Sequence, residues 1–220
     1  MNAQEVAELF SALERANPAP ASELRYGNPF ELLVAVVLSA QSTDVGVNRV
    51  TPALFRAAPN PAALASLGEA AIRDHIRSLG LFNTKARNLA NLATMLVDRF
   101  GGEVPNSREA LESLPGVGRK SANVVLNVAF GQETLAVDTH VFRVANRTGL
   151  AEGKSPEAVE KALLAIIPPP FRRNAHHWLV LHGRHVCRAR QPRCAECVIA
   201  TWCQSAPPPC DDRAGSAQDV

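Results

Sequence analysis

The sequence lacks the features of secreted, membrane-spanning and disulfide-linked proteins. Only five of its 220 residues are cysteines, and none comes before Cys187, which excludes a disulfide framework over most of the chain. The longest purely apolar run, residues 32–38, is far shorter than the roughly 20 residues of a membrane-spanning helix. No basic stretch followed by an apolar core opens the sequence, so we expect no secretory signal. These absences predict a soluble protein of a reducing, cytoplasmic compartment, without a membrane partner.

An excess of either charge is also missing. The chain has 23 Lys and Arg against 21 Asp and Glu, and a net charge of +2 neither requires nor excludes a nucleic-acid partner. The basic residues are, however, unevenly placed. Between Arg172 and Arg193 the sequence has six Arg, four His and no Asp or Glu. This concentration predicts a basic surface formed by the C-terminal part of the chain.

Strand patterns are almost absent, and residues 135–137 are the one short candidate. Residues 6–13 instead space their apolar side chains as an amphipathic helix does. Residues 32–38 are apolar on every side, so periodicity alone allows a buried strand or a buried helix. The preceding residues 28–31, Asn-Pro-Phe-Glu, favour the helix because they supply a cap, a first-turn proline and a capping-box acid. The predicted fold class is therefore all-α.

Cap residues and glycines predict further helix boundaries. Helix starts are expected at Asn60, Asn106 and Ser155, and helix ends at Gly80 and Gly101. Residues 205–220 are rich in proline and polar side chains and are expected to form a disordered tail. Cys210 in this tail is expected to be a free thiol.

Residues 114–120, Leu-Pro-Gly-Val-Gly-Arg-Lys, are the first segment with recognisable chemistry. One helix is expected to end before Pro115 and the next to begin near Arg119. Gly116 and Gly118 can both adopt positive φ and leave backbone N–H groups uncovered. Such amides at a helix N-terminus suit a phosphate oxygen, and this contact positions DNA without reading its sequence. A Gly-x-Gly turn by itself is more often only a connection between helices.

Four cysteines form the second motif. Cys187, Cys194, Cys197 and Cys203 are separated by six, two and five residues. Four thiolates so close in sequence can surround one metal centre, and a cysteine-ligated [4Fe–4S] cluster is one solution. Structural zinc is the other, although zinc sites more often use two Cys-x-x-Cys pairs and only one is present. The spacing alone leaves both open.

The hairpin segment with residues 121–125, and the cysteine spacing after residues 182–184, resemble the endonuclease III family of helix-hairpin-helix DNA glycosylases. The likeness is almost continuous over residues 38–203 and includes residues 80–86, Gly-Leu-Phe-Asn-Thr-Lys-Ala. Ser121, where threonine is common, is a mild departure from the family pattern.

The resemblance implies two helical domains with a DNA groove between them. Residues 22–135 would form a six-helix barrel, with the helix-hairpin-helix at about residues 107–130. Residues 1–21 and 136–204 would form a domain around a [4Fe–4S] cluster held by the four cysteines.

The resemblance also implies base-excision repair. Such an enzyme removes oxidised pyrimidines from duplex DNA as an N-glycosylase and cleaves the abasic site by β-elimination through a lysine Schiff base. We expect a bacterial-type cytoplasmic monomer whose partner is duplex DNA with a damaged base or an abasic site.

Lys120 and Asp138 match the catalytic positions of the family. A glycosylase with lyase activity needs an amine that attacks C1′ of the damaged nucleoside, and Lys120 supplies it. A helix from Arg119 to Phe130 rises about 17 Å and eight extended residues span about 26 Å, so the chain can return Asp138 to Lys120. We expect Asp138 to accept a proton or to stabilise positive charge on the sugar. Taken singly, the two residues would be a phosphate-binding surface lysine and a helix N-cap.

Several DNA contacts are expected by the same resemblance. Gln41 and Leu81 match positions that fill the stack when a nucleotide is flipped out. His140 and His176 are further candidates for the site, although a hydrogen-bonded structural histidine is the more common role. The expected DNA-binding residues are Gln41, Leu81, Gly116, Val117, Gly118, Arg119, His140, Arg143, Arg188, Arg190 and Arg193.

Two rival functions are less favoured. An adenine-type monofunctional glycosylase would share the cluster but lack Lys120. A zinc-stabilised, non-catalytic DNA-binding module would keep the hairpin and the basic loop but leave Lys120 and Asp138 without a purpose.

Overall fold

The structure, a computed structural model, describes residues 1–206, and within this range it contains helices and no strand. Cys210 and most of the expected tail lie outside the described residues. The helices are α1 (Ala3–Ala16), α2 (Pro29–Ser39), α3 (Asp44–Ala57), α4 (Pro61–Ile76), α5 (Phe82–Phe100), α6 (Arg108–Glu112), α7 (Arg119–Phe130), α8 (Thr139–Thr148), α9 (Pro156–Ile166) and α10 (Pro169–His185). Two 3₁₀ turns follow, at Cys194–Glu196 and Ala200–Trp202. The all-α prediction is confirmed.

The predicted helix starts are confirmed with one shift. The Asn28 and Asn60 side chains accept hydrogen bonds from backbone amides three residues on, as caps of α2 and α4, and Ser155 caps α9. The start expected at Asn106 is wrong by one residue, because the hydroxyl of Ser107 is the group that caps α6. A second serine or asparagine nearby makes such a one-residue shift hard to exclude from sequence.

Two other boundary predictions need correction. Residues 135–137 are buried but form no strand, because the part of the chain that the structure describes offers them no partner strand. Gly80 does not end a helix, because α4 already ends at Ile76. Helix α4 is also bent at Gly68, where φ is 75°. Gly101 behaves as predicted, since it ends α5 with φ at 61°.

The first hydrophobic core is built around α2. Its residues 32–38 are buried on all sides, which is why no amphipathic pattern is visible in that stretch. Helices α3 to α7 surround it and contribute fully buried side chains such as Leu54, Ile72, Leu89 and Leu126.

The second core joins the N-terminal helix to the C-terminal part of the chain. Helix α1 packs with α8, α9 and α10, and Leu9 and Phe10 are fully buried among them. The Phe10 ring stacks on Phe171 at 5.8 Å, and the Trp178 indole donates a 2.8 Å hydrogen bond to the Asn17 carbonyl. These contacts bring the first and last thirds of the sequence into one unit.

An extended segment after α7 carries the chain from the first core to the second. The buried Asn123 amide donates to the Leu135 carbonyl at 3.1 Å, and the Thr134 hydroxyl donates to the Asn123 carbonyl at 2.6 Å. The Asn127 amide also donates to the Thr134 and Arg173 carbonyls. Because these bonds satisfy buried backbone groups, they hold the segment along α7 and direct it back toward the start of that helix. Of the described helices, none is long and apolar enough to cross a membrane.

Candidate active site and DNA-binding surface

Lys120 and Asp138 face the same space between the two cores. Lys120 lies exposed in the first turn of α7, and Asp138 lies immediately before α8. Both line an inner cavity of about 130 Å³, which also contacts Val124 and Leu181, and an outer cavity of about 530 Å³. The structure therefore brings the two predicted catalytic residues together where the two cavities meet.

The two carboxylate oxygens of Asp138 differ in their hydrogen bonding. Oδ1 accepts hydrogen bonds from the His140 and Val141 amides at 2.8 and 2.9 Å, so Asp138 is the N-cap of α8. Oδ2 accepts no hydrogen bond from any described residue. The cap fixes the orientation of the carboxylate and leaves one oxygen open to the space that Lys120 shares.

Two neighbouring histidines of α10 line the inner cavity. His176 is buried with 7% of its surface exposed, and its Nδ1 lies 2.8 Å from the Ala136 carbonyl oxygen. Burial, followed by the nearby His177, lowers the pKa of His176 to about 4, despite the opposing effect of Asp138. Burial also lowers the pKa of His177. Both rings are therefore neutral at pH 7.

An ion-pair cluster that the sequence did not reveal closes one side of the cavities. The Arg184 guanidinium of α10 contacts the carboxylates of Glu23 and Asp44, and all three residues line the inner cavity. Burial acts to lower the pKa of Arg184, but the two carboxylates outweigh it and raise the pKa. The three residues are distant in sequence, and no local pattern links them.

The two glycines of the hairpin between α6 and α7 have different backbone conformations. Gly116 has a positive φ of 81°, and a Cβ there would lie 2.9 Å from Asn88 Nδ2. Gly118 has a φ of −101°, which residues with a side chain also adopt, and a Cβ there would meet nothing within 4 Å. The Val117 side chain is buried, and its N–H already donates to the Leu114 carbonyl.

The amides left for an external ligand are those at the start of α7. Gly118 is the N-cap, and no side chain caps this helix. The first amides of a helix have no partner within it, so the N–H groups beside Gly118 point outward. A bare glycine followed by uncapped amides is a surface that admits close approach of an anion.

Gln41 and Leu81 share a backbone conformation that is rare for their residue types. Their φ values are 53° and 56°, and no other non-glycine residue among those described has a positive φ. Leu81 is 56% exposed despite its apolar side chain. Strained backbone and an exposed leucine are typical of functional positions rather than of packing.

A buried lysine connects the loops that carry Gln41 and Leu81. The Lys85 ammonium donates a 2.7 Å hydrogen bond to the Ser42 hydroxyl, and burial lowers the pKa of Lys85. This link joins the segment after α2 to the first turn of α5. The neighbouring sequence does not indicate that Lys85 is buried, so this contact could not be predicted from local pattern.

Arg119 and Arg143 are engaged within the protein. The Arg119 guanidinium forms two hydrogen bonds of 2.9 Å with the buried carboxylate of Glu160. The Arg143 guanidinium donates to the Cys187 and Gly183 carbonyls at 3.0 and 2.8 Å. Arg143 also lies 3.2 Å from His140 Nδ1.

Arg188, Arg190 and Arg193 are exposed on the loop between the first two cysteines. Arg147 of α8 holds this loop from below, since its guanidinium donates to the Arg188 and Ala189 carbonyls at 2.7 and 3.1 Å. The predicted basic surface is thus formed by side chains of a loop whose backbone is fixed at its base.

The four predicted cysteine ligands surround one cavity. None of these thiols is in a disulfide, and all four line a cavity of about 290 Å³. Burial, followed by the neighbouring thiols, raises the pKa of Cys197. His182 Nε2 lies 3.5 Å from Cys197 Sγ, and burial lowers the pKa of His182 to about 4.

The cavity between the cysteines bears on the choice between a single metal ion and a cluster. Over residues 1–206, no three His, Cys, Asp or Glu side chains are placed to hold a single metal ion. A zinc ion with sulfur ligands at about 2.3 Å would require the thiols to converge on a point. The four cysteines line one cavity of about 290 Å³ together with other residues, and this cavity has room for a group of several atoms such as an iron–sulfur cluster.

Comparisons of the sequence with known proteins give a consistent result. The family description "HhH-GPD superfamily base excision DNA repair protein" matches residues 34–169. Endonuclease III of Escherichia coli (strain K12) is 51% identical over 204 residues, which cover 93% of this chain and 97% of that protein. Endonuclease III of Haemophilus influenzae is 52% identical over 204 residues with the same two coverages.

Comparisons with solved structures agree. A trapped covalent intermediate of endonuclease III with DNA superposes with a TM-score of 0.88 at 42% identity, covering 94% of this chain and 97% of that one. A non-covalent endonuclease III–DNA complex gives the same values. A thermostable thymine-DNA glycosylase, at 23% identity and a TM-score of 0.80, shares the fold.

Proposed function

The chain belongs to the endonuclease III family, within the HhH-GPD superfamily of base excision DNA repair proteins, and we propose on that basis how its residues act. It is a DNA N-glycosylase and abasic-site lyase that acts on oxidised pyrimidines in duplex DNA. One observation assigns this activity to particular residues: Lys120 and Asp138 both line the two adjoining cavities between the cores.

Lys120 is the proposed nucleophile. Its amine attacks C1′ of the flipped-out nucleotide, the bond from C1′ to the base breaks, and the base leaves with the bonding electrons. The amine nitrogen then loses one proton, and its lone pair forms the C1′=N bond as the C1′–O4′ bond breaks and O4′ takes up a proton, which gives a protonated Schiff base. Loss of a proton from C2′ then expels the 3′ phosphate. A solved relative is described as a trapped covalent intermediate with DNA, which supports such a step.

Asp138 is the proposed proton acceptor. Its Oδ1 is held by the two amides of the α8 cap, and Oδ2 is the oxygen available to take a proton or to face positive charge on the sugar. Because the cap already fixes the carboxylate, no reorganisation is needed when charge develops.

Gln41 and Leu81 are proposed to fill the stack left by the flipped nucleotide. Their loops lie side by side, since a Cβ on Gly80 would be 3.6 Å from the Gln41 carbonyl oxygen. The strained backbone at both residues and the exposure of Leu81 support this role. Lys85 keeps the two loops in register through Ser42.

Phosphate contacts are proposed for two surfaces. The amides at Gly118 and at the start of α7 suit one phosphate, and Arg188, Arg190 and Arg193 suit others. Val117 contributes only to the shape of the hairpin. Arg119, Arg143 and His140 are proposed to support the DNA-binding surface from within, because their contacts hold the protein segments that form it.

A [4Fe–4S] cluster is the cofactor of the protein. Cys187, Cys194, Cys197 and Cys203 are proposed as its ligands, in line with the cavity that they line. When bound, the cluster supplies a rigid centre for a loop too short to fold by burial alone. The arginines of that loop are thereby held toward DNA.

The two hydrophobic cores are proposed as the two domains of the protein. Residues 22–135, with the hairpin, would form one, and residues 1–21 and 136–204 the other. We also propose a monomer located in the cytoplasm, as suits an enzyme of chromosomal DNA with bacterial relatives.

Borohydride trapping tests the proposed chemistry. The purified protein is incubated with duplex DNA that contains thymine glycol, and borohydride reduces any Schiff base to a stable adduct. An adduct and a cleaved strand are expected for the parent, and neither for Lys120→Ala. An iron-loaded, DNA-binding parent that gives no adduct with thymine glycol or with an abasic site would refute the assignment of Lys120.

A further inference from the structure

His176, the buried histidine that lines the inner cavity, has no part in the steps assigned to Lys120 and Asp138. The side chain stands in the third turn of α10 and lines this cavity together with Lys120 and Asp138. It is more than nine-tenths buried, with 7% of its surface exposed. A polar ring buried beside a catalytic pair has either a structural role alone or a ligand.

One ring nitrogen of His176 has a structural partner. Nδ1 lies 2.8 Å from the carbonyl oxygen of Ala136, two residues before Asp138. A carbonyl oxygen only accepts hydrogen bonds, so Nδ1 carries the hydrogen. This bond fixes the tautomer and holds the ring plane.

The other ring nitrogen faces the cavity. In the neutral ring, Nε2 then has a bare lone pair and accepts a hydrogen bond. Nε2 has no hydrogen-bond partner among the described residues. Yet the described part of the chain contains no buried side-chain nitrogen or oxygen without a partner. Nε2 is therefore not sealed in the core but opens into the inner cavity that His176 lines.

The surroundings of this acceptor suit a flipped-out base. Val36, Val124 and Leu181 give the inner cavity apolar walls, and Lys120 stands at its junction with the outer cavity. If Lys120 attacks C1′, the base attached to C1′ enters the space beside it, and the inner cavity is that space. Enzymes that flip nucleotides recognise the base by hydrogen bonds to its Watson–Crick edge.

We propose that Nε2 of His176 accepts a hydrogen bond from the N3–H group of a flipped-out, thymine-derived lesion, which makes His176 a determinant of base specificity. This inference rests on the proposed function. A thymine-type ring carries a hydrogen on N3, whereas N3 of a cytosine-type ring has a lone pair that would face the lone pair of Nε2. His176 thus favours the first class over the second.

Two substitutions separate the roles of the two ring nitrogens. In His176→Asn the amide nitrogen stands near the position of Nδ1 and keeps the donor to Ala136, but the acceptor at Nε2 is lost. In His176→Gln the longer side chain places its oxygen near Nε2 and keeps the acceptor. The pair is matched, because both variants are neutral amides.

The experiment compares three single-turnover rates in the parent and the two variants. They are the rates of base release from thymine glycol, of base release from 5-hydroxycytosine, and of strand cleavage at a preformed abasic site. For His176→Asn we expect the ratio of thymine glycol release to abasic-site cleavage to fall about tenfold or more, because a buried donor is left unpaired. For His176→Gln the ratio should stay within about threefold of the parent. The preference of His176→Asn for thymine glycol over 5-hydroxycytosine should narrow.

A substrate change tests the same contact without any variant. N3-methylation of thymine glycol removes the donor, so the parent should release the methylated base about tenfold or more slowly. His176→Asn should show little further loss. Equal release of both lesions by the parent would overturn the proposal.

The outcomes separate this inference from the function on which it rests. An unchanged ratio in His176→Asn, or an equal fall in both activities that points to a structural role, overturns the specificity role alone. A parent that neither releases thymine glycol nor cleaves an abasic site overturns the proposed function as well.

Discussion

Arg119 and Glu160 are joined by two parallel hydrogen bonds, each 2.9 Å long, which connect the start of α7 in the first core to α9 in the second. Glu160 is 4% exposed, and Arg108 lies 3.8 Å away as a second cation. Arg119 directly precedes Lys120 in the sequence. It therefore fixes the first turn of the helix that carries the nucleophile against the opposite core.

Arg119→Ala is expected to lower the free energy of unfolding by about 1–3 kcal/mol, because it removes two hydrogen bonds from a buried carboxylate and leaves only the longer ion pair with Arg108. The control is Arg87→Ala. Arg87 pairs with Glu69 at 3.9 Å on the exposed surface, and its loss should change the stability by less than about 0.5 kcal/mol. Urea unfolding of both variants at pH 7 measures the difference. Equal effects would show that Arg119 is an ordinary surface residue.

Asp138→Asn is expected to separate catalysis from binding. The asparagine oxygen can still accept the two amide hydrogen bonds that Oδ1 accepts now, so α8 keeps its cap. Without a carboxylate to take a proton, turnover on thymine glycol should fall about a hundredfold or more, while the Kd for DNA stays within about threefold.

Asp138→Ala serves as the comparison for this prediction. It should lose turnover too, and in addition about 1 kcal/mol of stability, since the cap is removed. A parallel fall of turnover and DNA affinity in Asp138→Asn would contradict the assigned role.

Alanine substitutions of the two hairpin glycines are expected to have different effects, one on stability and the other on DNA affinity. Gly116→Ala should cost about 1–3 kcal/mol of stability, because φ is 81° and the new methyl group would lie 2.9 Å from Asn88 Nδ2. Gly118→Ala meets nothing within 4 Å, so its stability should change by less than about 0.5 kcal/mol. Its affinity for undamaged duplex DNA should nevertheless fall severalfold, because the methyl group covers the amides at the helix start.

Unfolding curves and DNA-binding anisotropy distinguish the two glycine variants. The affinity loss of Gly118→Ala should shrink as salt rises, since phosphate contacts contribute less at high salt. Unchanged affinity in a stable Gly118→Ala protein would argue against a phosphate at this hairpin.

The stability of the protein should fall as the pH drops from 6.5 toward 4. Burial and His177 lower the pKa of His176 to about 4, from 6.5 in the unfolded chain. In this window the unfolded chain binds a proton at His176 and the folded chain does not, so acid favours unfolding. At pH 5 the loss from this one group is about 2 kcal/mol.

His176→Asn is the control for this pH dependence, because asparagine does not titrate and keeps the donor to Ala136. The difference in unfolding free energy between pH 7 and pH 5, measured with urea, should be about 2 kcal/mol smaller in the variant than in the parent. The same pH dependence in both proteins would mean that His176 is not held neutral by the fold.

Much of the architecture followed from local sequence. The caps at Asn28, Asn60 and Ser155 were predictable because a cap depends on residues only three positions apart. The buried helix at residues 32–38 was predictable from its start signal. The cysteine spacing and the hairpin motif were visible for the same reason, since their members are neighbours in the chain.

What the tertiary structure alone decided involves partners distant in sequence. Arg119 pairs with Glu160, which is 41 residues away and could not be paired with it by pattern. Arg184 with Asp44, and Lys85 with Ser42, are likewise joined only by folding. The positive φ of Gln41 and Leu81 depends on how two loops pack, not on their residue types.

His176 shows the division most clearly. From the sequence His176 was a candidate for the site, with a structural role as the more common alternative, and its bond to Ala136 is such a role. Only the folded chain brings α10 to the cavity that Lys120 also lines and turns the second nitrogen of His176 toward it. The sequence determined which chemical groups the protein possesses and the helices that carry them. The fold decided which groups are satisfied internally and which remain free to act, because burial and hydrogen bonding are properties of the packed chain.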